Sequence, residues 1–331
     1  MFHHSNLIGY QELFNHCASI AVVNNNPIIV GYCGQECTDE QRVFIYYKGR
    51  YKLLRKKTGN PIIWVHQKKI NLLYSEFEDI APDGSRPLSP VERWKYCSNH
   101  HVQFKISDLA LNQDIESKSS KIDSMFGLLA RCQPVVYNND LLIPMYREKN
   151  PRCEIWSMDN DNKFFIKGMF GEMDNNSAYN FKATSSLGIG AAIQPTIGIT
   201  KDGLVALNRN VSRDHKNAWI SRSNDGVTWS MIEQSTVPNE NNSLVYINNE
   251  EERHKYLVYN TSRDRSDIRL YNFMKKQSIQ LGTPLVGYGR LSYSYPNYIW
   301  DVNDLHIVHS NCGMIAHHVF SKEYLEKAFD L

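Results

Sequence analysis

The sequence predicts an all-β protein, a six-bladed β-propeller with four-stranded antiparallel blades and a short C-terminal helix. Three observations predict this fold. Long helical periodicity is nearly absent from the chain. Short apolar or alternating runs recur instead, and polar turn residues separate them into hairpins. The hairpin pattern returns about every 50–60 residues, a spacing typical of propellers and other repeat folds, which divides the chain into about six blades.

The predicted hairpins each join two apolar runs across a turn rich in Gly, Asn, Lys or Pro. They pair residues 20–23 with 28–32, 43–47 with 51–54, 62–65 with 70–74, 135–137 with 141–146, 196–199 with 204–208, 244–247 with 256–260, and 297–300 with 305–309. Residues 81–93 interrupt the pattern and are predicted as a long loop. Residues 112–131 also interrupt it, and we expect a short helix there. The final residues, 321–330, predict one helix with Ser321 as its N-cap.

Length and composition exclude several classes of protein. The 331 residues exceed the usual size of one hydrophobic core, which leaves two domains or one repeat architecture. We interpret residues 1–331 as a single propeller domain. A hydrophobic fraction of 42%, a charged fraction of 22% and a net charge of +2 are ordinary for a folded protein and do not favour nucleic acid. No apolar run is long enough for a membrane span.

The cysteines and the N-terminal residues predict a reducing compartment. Seven cysteines are an odd number, widely scattered, and the start of the chain lacks a signal-peptide pattern. We therefore expect reduced thiols and a cytoplasmic location, although export by another route stays open.

No cofactor and no catalytic metal are expected. The chain lacks a Gly-rich phosphate loop and a Gly-x-Ser-x-Gly elbow. Cys33 and Cys37 have no zinc-type partner pattern, and adjacent histidines in a strand point to opposite faces.

One short motif carries most of the local information. Residues 223–230 read Ser-Asn-Asp-Gly-Val-Thr-Trp-Ser. Asp225 can accept hydrogen bonds from nearby backbone N–H groups, Gly226 can supply a positive φ, and Trp229 can close the turn as an apolar plug. The motif is similar to the Asp-box. Weaker versions of the turn are expected at Ser107-Asp108, residues 157–161 and Tyr271-Asn272.

The chain resembles the BNR-repeat, sialidase-like family of propellers from about residue 15 to residue 324. The matching pieces keep a common order along the chain. They are Asn15-His16, Gly34-Gln35-Glu36 with Asp39, Gly59-Asn60-Pro61, residues 142–146 with Glu148, Ile193-Gln194-Pro195, residues 202–204 with Arg209, the Asp-box, residues 238–241, Tyr259-Asn260 with Arg265-Ser266, and Ser294-Tyr295-Pro296.

The resemblance implies roles for individual residues. In sialidases, arginines bind the sugar carboxylate, an aspartate is the acid/base, and a tyrosine nucleophile pairs with a glutamate. Arg209 and Arg265 resemble two of the arginines, Tyr295 resembles the nucleophile, and Asp39 resembles the acid/base, with Glu36 as a second carboxylate.

Two positions depart from the sialidase pattern. Gln194 stands where the glutamate is expected and cannot accept the tyrosine proton. The first arginine is replaced by the Asn15-His16 segment, and His16 is a better proton shuttle than a carboxylate clamp. Further candidate substrate ligands are Gln194, Tyr146, Glu148, Asn239 and Asn260.

These residues predict a carbohydrate-active enzyme, an exo-acting glycoside hydrolase that removes a terminal acidic sugar from a glycan. One alternative is a polysaccharide lyase on uronic-acid glycans with His, Tyr and Arg chemistry. Another is a non-catalytic, glycan-binding propeller, and a weaker one is a scaffold for other proteins. The partner is a glycan, with no nucleic acid and no membrane. The oligomeric state and the choice between retaining and inverting hydrolysis stay open.

Overall fold

Six antiparallel sheets follow one another along the chain in the computed structural model. The structure describes residues 3–10, 13–36, 38–110, 114–148, 152–170, 192–211, 216–239, 242–282 and 292–331. Each sheet is one blade with four strand positions, so the predicted six-bladed, all-β propeller is confirmed.

Blades 1 to 3 occupy the first half of the chain. Blade 1 contains β2 (Asn15–Val23), β3 (Asn26–Cys33), β4 (Arg42–Tyr47) and β5 (Arg50–Leu53). Blade 2 contains β6 (Thr58–His66), β7 (Lys69–Glu76), β8 (Ser98–Phe104) and β9 (Ser120–Lys121). In blade 3 two short strands share the first position, so its strands are β10 (Leu128–Ala130), β11 (Val135–Tyr137), β12 (Asp140–Arg147), β13 (Arg152–Met158) and β14 (Phe164–Met169).

Blades 4 to 6 complete the ring. Blade 4 contains β15 (Ala192–Thr200), β16 (Gly203–Asn210), β17 (Asn217–Ser223) and β18 (Glu233–Pro238). Blade 5 contains β19 (Val245–Ile247), β20 (Tyr256–Tyr259), β21 (Arg269–Asn272) and β22 (Gln277–Gln280). Blade 6 contains β23 (Tyr293–Asp301), β24 (Asp304–Asn311), β25 (Met314–Ser321) and, as its fourth strand, β1 (His3–Ile8).

The N-terminal strand closes the propeller. β1 pairs antiparallel with β25 in a register that runs from His3 opposite Phe320 to Ile8 opposite Ile315. The last blade is therefore assembled from both ends of the sequence, an arrangement that covers an otherwise unpaired strand edge.

The first strands of the blades form the inner ring. β2 contacts both β6 and β23, and contacts continue through β10, β12, β15 and β19. Hydrogen bonds join the blades here: Ile63 N–H donates to the Ser19 hydroxyl at 3.1 Å, and Tyr246 N–H donates to the Thr196 hydroxyl at 3.0 Å. Side chains at the ends of these strands consequently meet, although they are far apart in sequence.

The described residues include three short α-helices outside the sheets, and two of them correct predictions. α1 (Pro90–Tyr96) shows that residues 81–93 are not loop throughout; Glu92 accepts hydrogen bonds from the Ser89 N–H and hydroxyl and so caps the helix. α2 (Ile106–Ala110) lies before residues 112–131, whose described part has the 3₁₀ turn Glu116–Lys118 as its only helical segment, besides the strands β9 and β10. α3 (Lys322–Ala328) confirms the C-terminal helix, and the Ser321 hydroxyl accepts from Tyr324 N–H at 3.3 Å.

The turn at residues 223–230 has the predicted geometry. Asp225 Oδ1 accepts the N–H groups of Val227 and Thr228, both at 2.8 Å. Gly226 has a φ of 76°, and the buried Trp229 donates its indole N–H to the Gly226 carbonyl. The turn joins the third and fourth strands of blade 4.

The weaker turns expected elsewhere are of two kinds. Asp159 and Asn272 each accept backbone N–H groups between the third and fourth strands of blades 3 and 5, as predicted. Ser107-Asp108 is wrong as a hairpin turn, because both residues lie in α2. No helix in the described part of the chain is long and apolar enough to cross a membrane.

Candidate active site

The backbone of four inner strands is bent at the same point. Cys17, Asn60, Gln194 and Tyr295 have left-handed φ values of 54°, 43°, 53° and 54°, and the strand register shifts at each. Such bulges bend a strand and redirect its side chains, and non-glycine residues adopt this φ rarely. The bulges are therefore the devices that turn inner-strand side chains toward a common pocket.

Tyr295 is the centre of this pocket. The His16 ring lies perpendicular to its ring, with centroids 4.6 Å apart. Two guanidinium carbons lie over the same ring, that of Arg131 at 5.0 Å and that of Arg265 at 5.3 Å from its centroid. Cations over an aromatic face are attracted by its negative potential. Strands and loops from blades 1, 3, 5 and 6 thus converge on one tyrosine.

His16 is a buried, neutral imidazole beside Tyr295. Burial, reinforced by the positive charges of Arg265 and Arg131, holds the pKa of His16 well below its usual value. Its Nδ1 atom has no hydrogen-bond partner among the described residues. Its ring centroid also lies 5.3 Å from that of Phe14, which is 48% exposed. The uncharged ring offers a nitrogen that can accept a hydrogen bond at physiological pH.

Gln194 is held in a defined orientation. Its Oε1 accepts from Arg209 Nη1 at 3.2 Å and from the Ser243 hydroxyl, and its amide nitrogen donates to the Tyr146 hydroxyl at 3.4 Å. Tyr146 is almost fully buried, and that burial raises the pKa of Tyr146 well above 10. Both side chains are thus neutral, and neither brings a base into the pocket.

The two arginines implicated by the sequence share this pocket. Arg209 donates to the Gln194 amide oxygen, and Arg265 Nε donates to the Asn242 amide oxygen at 3.0 Å. Arg265 has no ion pair within the described residues and is partly exposed. Both guanidinium groups are close enough to Glu36 to act on its ionisation.

Glu36 and Glu148 supply the carboxyl groups. Trp94 from α1 donates its indole N–H to Glu36 Oε1 at 3.1 Å. Glu36 is an exposed residue, but desolvation of its carboxyl, which faces the pocket groups, raises the pKa of Glu36 against the opposing effects of Trp94 and the arginines. Burial likewise raises the pKa of Glu148, against the charges of Arg209 and Lys95. These two carboxyls therefore keep a proton to higher pH than a glutamate with the usual pKa does.

Asp39 lies outside this group. Its side chain is 74% exposed and forms ion pairs with Lys57 at 2.6 Å and Arg93 at 3.5 Å. The hydrogen bond from Lys57 lowers the pKa of Asp39. In this arrangement Asp39 is a surface carboxylate with two cations, although Arg93 belongs to the same helix as Trp94.

The side chains of Asn239 and Asn260 form hydrogen bonds with backbone groups. Asn239 accepts from Asn210 N–H at 2.9 Å and donates to the Asn242 carbonyl at 2.6 Å. Asn260 donates to the carbonyls of Asp267 at 2.7 Å and Tyr293 at 3.0 Å. Both are fully buried, so they brace the segments that carry the pocket arginines and Tyr295.

Sequence reasoning missed Arg131 and Trp94. Arg131 is 1% exposed and follows the first short strand of blade 3. A signal was present, because Gln133-Pro134 repeats the residue-proline pattern of Gln194-Pro195 and Tyr295-Pro296. No comparable sequence pattern marks Trp94, whose role depends on how α1 folds over blade 1.

No metal centre is visible in the described part of the chain, where no three His, Cys, Asp or Glu side chains form a group that could hold a metal ion. The pocket chemistry described above is that of guanidinium, carboxyl, phenol and imidazole groups.

Fold and site together define a propeller of the sialidase type with an arginine-bearing pocket where its blades meet. The model of the BNR repeat-like domain matches residues 38–307, and the chain belongs to that family. No curated protein matches the sequence significantly.

Solved structures of a sialidase share the fold. Trypanosoma rangeli sialidase in complex with the inhibitor DANA has a TM-score of 0.60 and 11% sequence identity, over 96% of this chain and 56% of that chain. The covalent intermediate of the same sialidase with 2,3-difluorosialic acid has a TM-score of 0.59 and 11% identity, over 96% and 55%. This chain thus spans just over half the length of those proteins, and the likeness is one of fold.

Proposed function

We propose that the protein is a carbohydrate-active enzyme, an exo-acting glycoside hydrolase that removes a terminal acidic sugar from a glycan. The observation that carries the proposal is the placement of Arg209 and Arg265, each bonded to a neutral amide oxygen, beside the carboxyl of Glu36, whose pKa is raised. A guanidinium group can bind an anionic ligand while it keeps such a bond, and its planar fork matches a carboxylate.

The sugar carboxylate is the natural ligand of the two arginines. Arg265 and Tyr295 are both partly exposed, so the pocket opens to solvent on their side. A sialidase of the same fold was solved in complex with sialic acid, an acidic sugar. A terminal unit that carries a carboxylate fits a pocket of this charge.

Glu36 is the stronger candidate for the proton donor. A general acid must hold its proton near the working pH, and the raised pKa of Glu36 favours this. Asp39 stays in the proposal as the residue implied by the sialidase resemblance, but its ion pairs with Lys57 and Arg93 favour the charged form.

Tyr295 is the proposed nucleophile or proton carrier. His16 lies next to it with a free ring nitrogen and can relay the proton that a glutamate would accept in a sialidase. The arginines around the ring favour negative charge at this end of the pocket.

The second candidate function is a polysaccharide lyase on uronic-acid glycans. One arrangement favours it: Tyr295 has a neutral imidazole neighbour and no acidic partner at Gln194, which suits transfer of a proton better than attack on an anomeric carbon. In a lyase the same arginines would neutralise the uronate.

A substrate panel tests the proposal. The purified protein is assayed on sialyl, Kdo, rhamnosyl-glucuronate and uronan substrates, with released sugar and unsaturated product measured separately. We expect release of a terminal acidic sugar, and about 100-fold lower kcat/KM in Arg265→Ala, or ~2.7 kcal/mol. Arg222→Ala, at an exposed ion pair of blade 4, is the matched control and should keep full activity.

The other outcomes decide against hydrolysis. Unsaturated product in place of a hydrolysed sugar would establish the lyase. Binding of glycans on an array without turnover of any substrate would establish the non-catalytic propeller.

A further inference from the structure

Arg131 is a buried cation with an unusual set of partners. It is 1% exposed, and among the described residues its guanidinium group donates only to the carbonyls of Ala18 and Tyr295. No acidic side chain in the described ranges forms an ion pair with it. Arg147 is also buried, but its charge is balanced in the usual way by ion pairs with Glu154 and Asp123. A charge buried without a counter-charge destabilises the fold, so a purely structural role does not explain Arg131.

The two carbonyls belong to two bulges. Ala18 follows Cys17, whose φ is 54°, and Tyr295 itself has a φ of 54°. Arg131 Nη2 donates to the Tyr295 carbonyl at 2.6 Å, and its two terminal nitrogens lie 3.3 and 3.4 Å from the Ala18 carbonyl. One guanidinium therefore ties together the bulges of blades 1 and 6, which present His16 and Tyr295 to each other.

The same group acts on the rings that these bulges carry. Its carbon lies 5.0 Å from the centroid of the Tyr295 ring, and its charge is one of those that keep His16 neutral. A planar, permanently charged fork can do both tasks at once, whereas an ammonium group cannot span two carbonyls in a fixed plane.

We propose that Arg131 is a positioning residue of the active site, which locks the His16–Tyr295 pair in its perpendicular arrangement and supplies positive charge at the tyrosine ring. The expected effect of Arg131 on turnover rests on the proposed function, whereas its effect on the arrangement of His16 and Tyr295 does not. It assigns the loop after β10 in blade 3 a part in the site.

The experiment compares Arg131→Met and Arg131→Lys with the wild type. We expect Arg131→Met to lower kcat about 100-fold with little change in KM, because the reacting groups are misplaced while the carboxylate site persists. The kcat of Arg131→Lys should be about ten-fold higher than that of Arg131→Met. Lys255→Met, which removes another buried cation far from the pocket, is the control and should keep the wild-type kcat.

Two readouts do not depend on turnover. 3-Fluorotyrosine at position 295 should give a ¹⁹F resonance that moves in Arg131→Met, moves less in Arg131→Lys, and is unchanged in Lys255→Met. An NMR titration, with His16 assigned through His16→Gln, should show a higher pKa for His16 in Arg131→Met, because one of its two neighbouring cations is gone.

A folded Arg131→Met protein with wild-type kcat and an unmoved ¹⁹F resonance would overturn the proposal. If Arg131→Met does not fold, Arg131→Lys decides, and its identity with the wild type in both readouts contradicts a positioning role. If the wild type turns over no glycan, the proposed function fails while the fluorine and histidine measurements still decide the role of Arg131.

Discussion

At the scale of single residues, the pocket is distinguished by the partners of its charges. Arg131 and Arg265 are bonded to carbonyl or amide oxygens, whereas Arg147 elsewhere in blade 3 is bound by acids. The carboxyls differ in a related way: Glu36 accepts from the Trp94 indole and has a raised pKa, whereas Asp39 forms ion pairs and has a lowered pKa. Charges with neutral partners are therefore concentrated where we place the ligand.

The different surroundings of Glu36 and Asp39 predict different effects of neutralising each carboxyl. Glu36→Gln should lower kcat by about 10²–10⁴-fold, the usual contribution of a general acid, when tested on the substrate found in the panel. Asp39→Asn is the matched variant and should lower it by less than about ten-fold, because Asp39 is held as a carboxylate by Lys57. The reverse order of the two effects would transfer the acid/base role to Asp39.

The difference in stability between Glu36→Gln and the wild type should depend on pH. A carboxyl whose pKa is raised by folding binds its proton more tightly in the folded protein, so it destabilises the fold at pH values above that raised pKa. This destabilisation disappears at pH values below the usual pKa of glutamate, where the carboxyl is protonated in the folded and the unfolded protein. Glu36→Gln should therefore melt above the wild type at pH 7 and level with it at about pH 4; a lower melting temperature at pH 7 would contradict the desolvation of Glu36.

The sequence could predict part of the pocket and not the rest. His16, Gln194 and Tyr295 could be found because the bulge segments that carry them are local, with proline following two of them. Asn239 and Asn260 could be placed near the site but not assigned to the backbone, since hydrogen bonding of an amide depends on the folded loop. Arg131 was missed because its meaning depends on carbonyls 113 and 164 residues away.

At the scale of elements, blade 6 contains histidine pairs that span its strands. His306 Nδ1 lies 3.0 Å from His317 Nε2 on one face. On the other face, His309 Nε2 lies 3.0 Å from His318 Nε2, and His318 Nδ1 lies 3.3 Å from His3 Nε2 on β1. These contacts join β24, β25 and β1, so they help to close the ring.

Because of these buried histidine pairs, we expect blade 6 to lose stability at acidic pH. Burial lowers the pKa of His309 to about 4 and that of His317 to about 3, where the neighbouring His306 and His4 act in the same direction. Such a group lowers stability as the pH falls from about 6.5 toward its folded pKa, by up to ~1.4 kcal/mol per pH unit, because the unfolded chain takes up the proton first.

The variant His317→Gln tests this account of blade 6. Between about pH 6.5 and 4 the melting temperature of the variant should fall less steeply than that of the wild type, since one buried histidine no longer favours the unfolded chain. The control is His66→Gln, partly exposed at the end of β6, which should keep the wild-type slope. Equal slopes in His317→Gln and the wild type would contradict the account.

At the scale of the whole molecule, the fold was predictable because repetition is visible without tertiary information. Hairpins at regular spacing and the turn at residues 223–230 specify blades, and blades specify a ring. The closure of blade 6 by β1 could not be read in this way, because its partner strand lies about 310 residues further along the chain. The helix α1 was missed for a related reason, since its Pro and Ser residues also fit a loop.

The ring explains how residues from separate blades come to share one pocket. The inner strands β2, β15 and β23 each contribute one side chain, and the others come from second strands and loops of several blades, so the site exists only when the blades are assembled. We propose that this assembled pocket binds the carboxylate of a sugar through Arg209 and Arg265.

Isothermal titration of the folded protein with sialic acid, Kdo and galacturonic acid, each beside its methyl ester, tests that claim most directly. We expect at least one acid to bind and its ester to bind at least about ten-fold more weakly, a loss of ~1.4 kcal/mol. The double variant Arg209→Met/Arg265→Met should not bind the acid. Equal binding of acid and ester, wild-type binding by the double variant, or no binding of any acid would contradict the proposal.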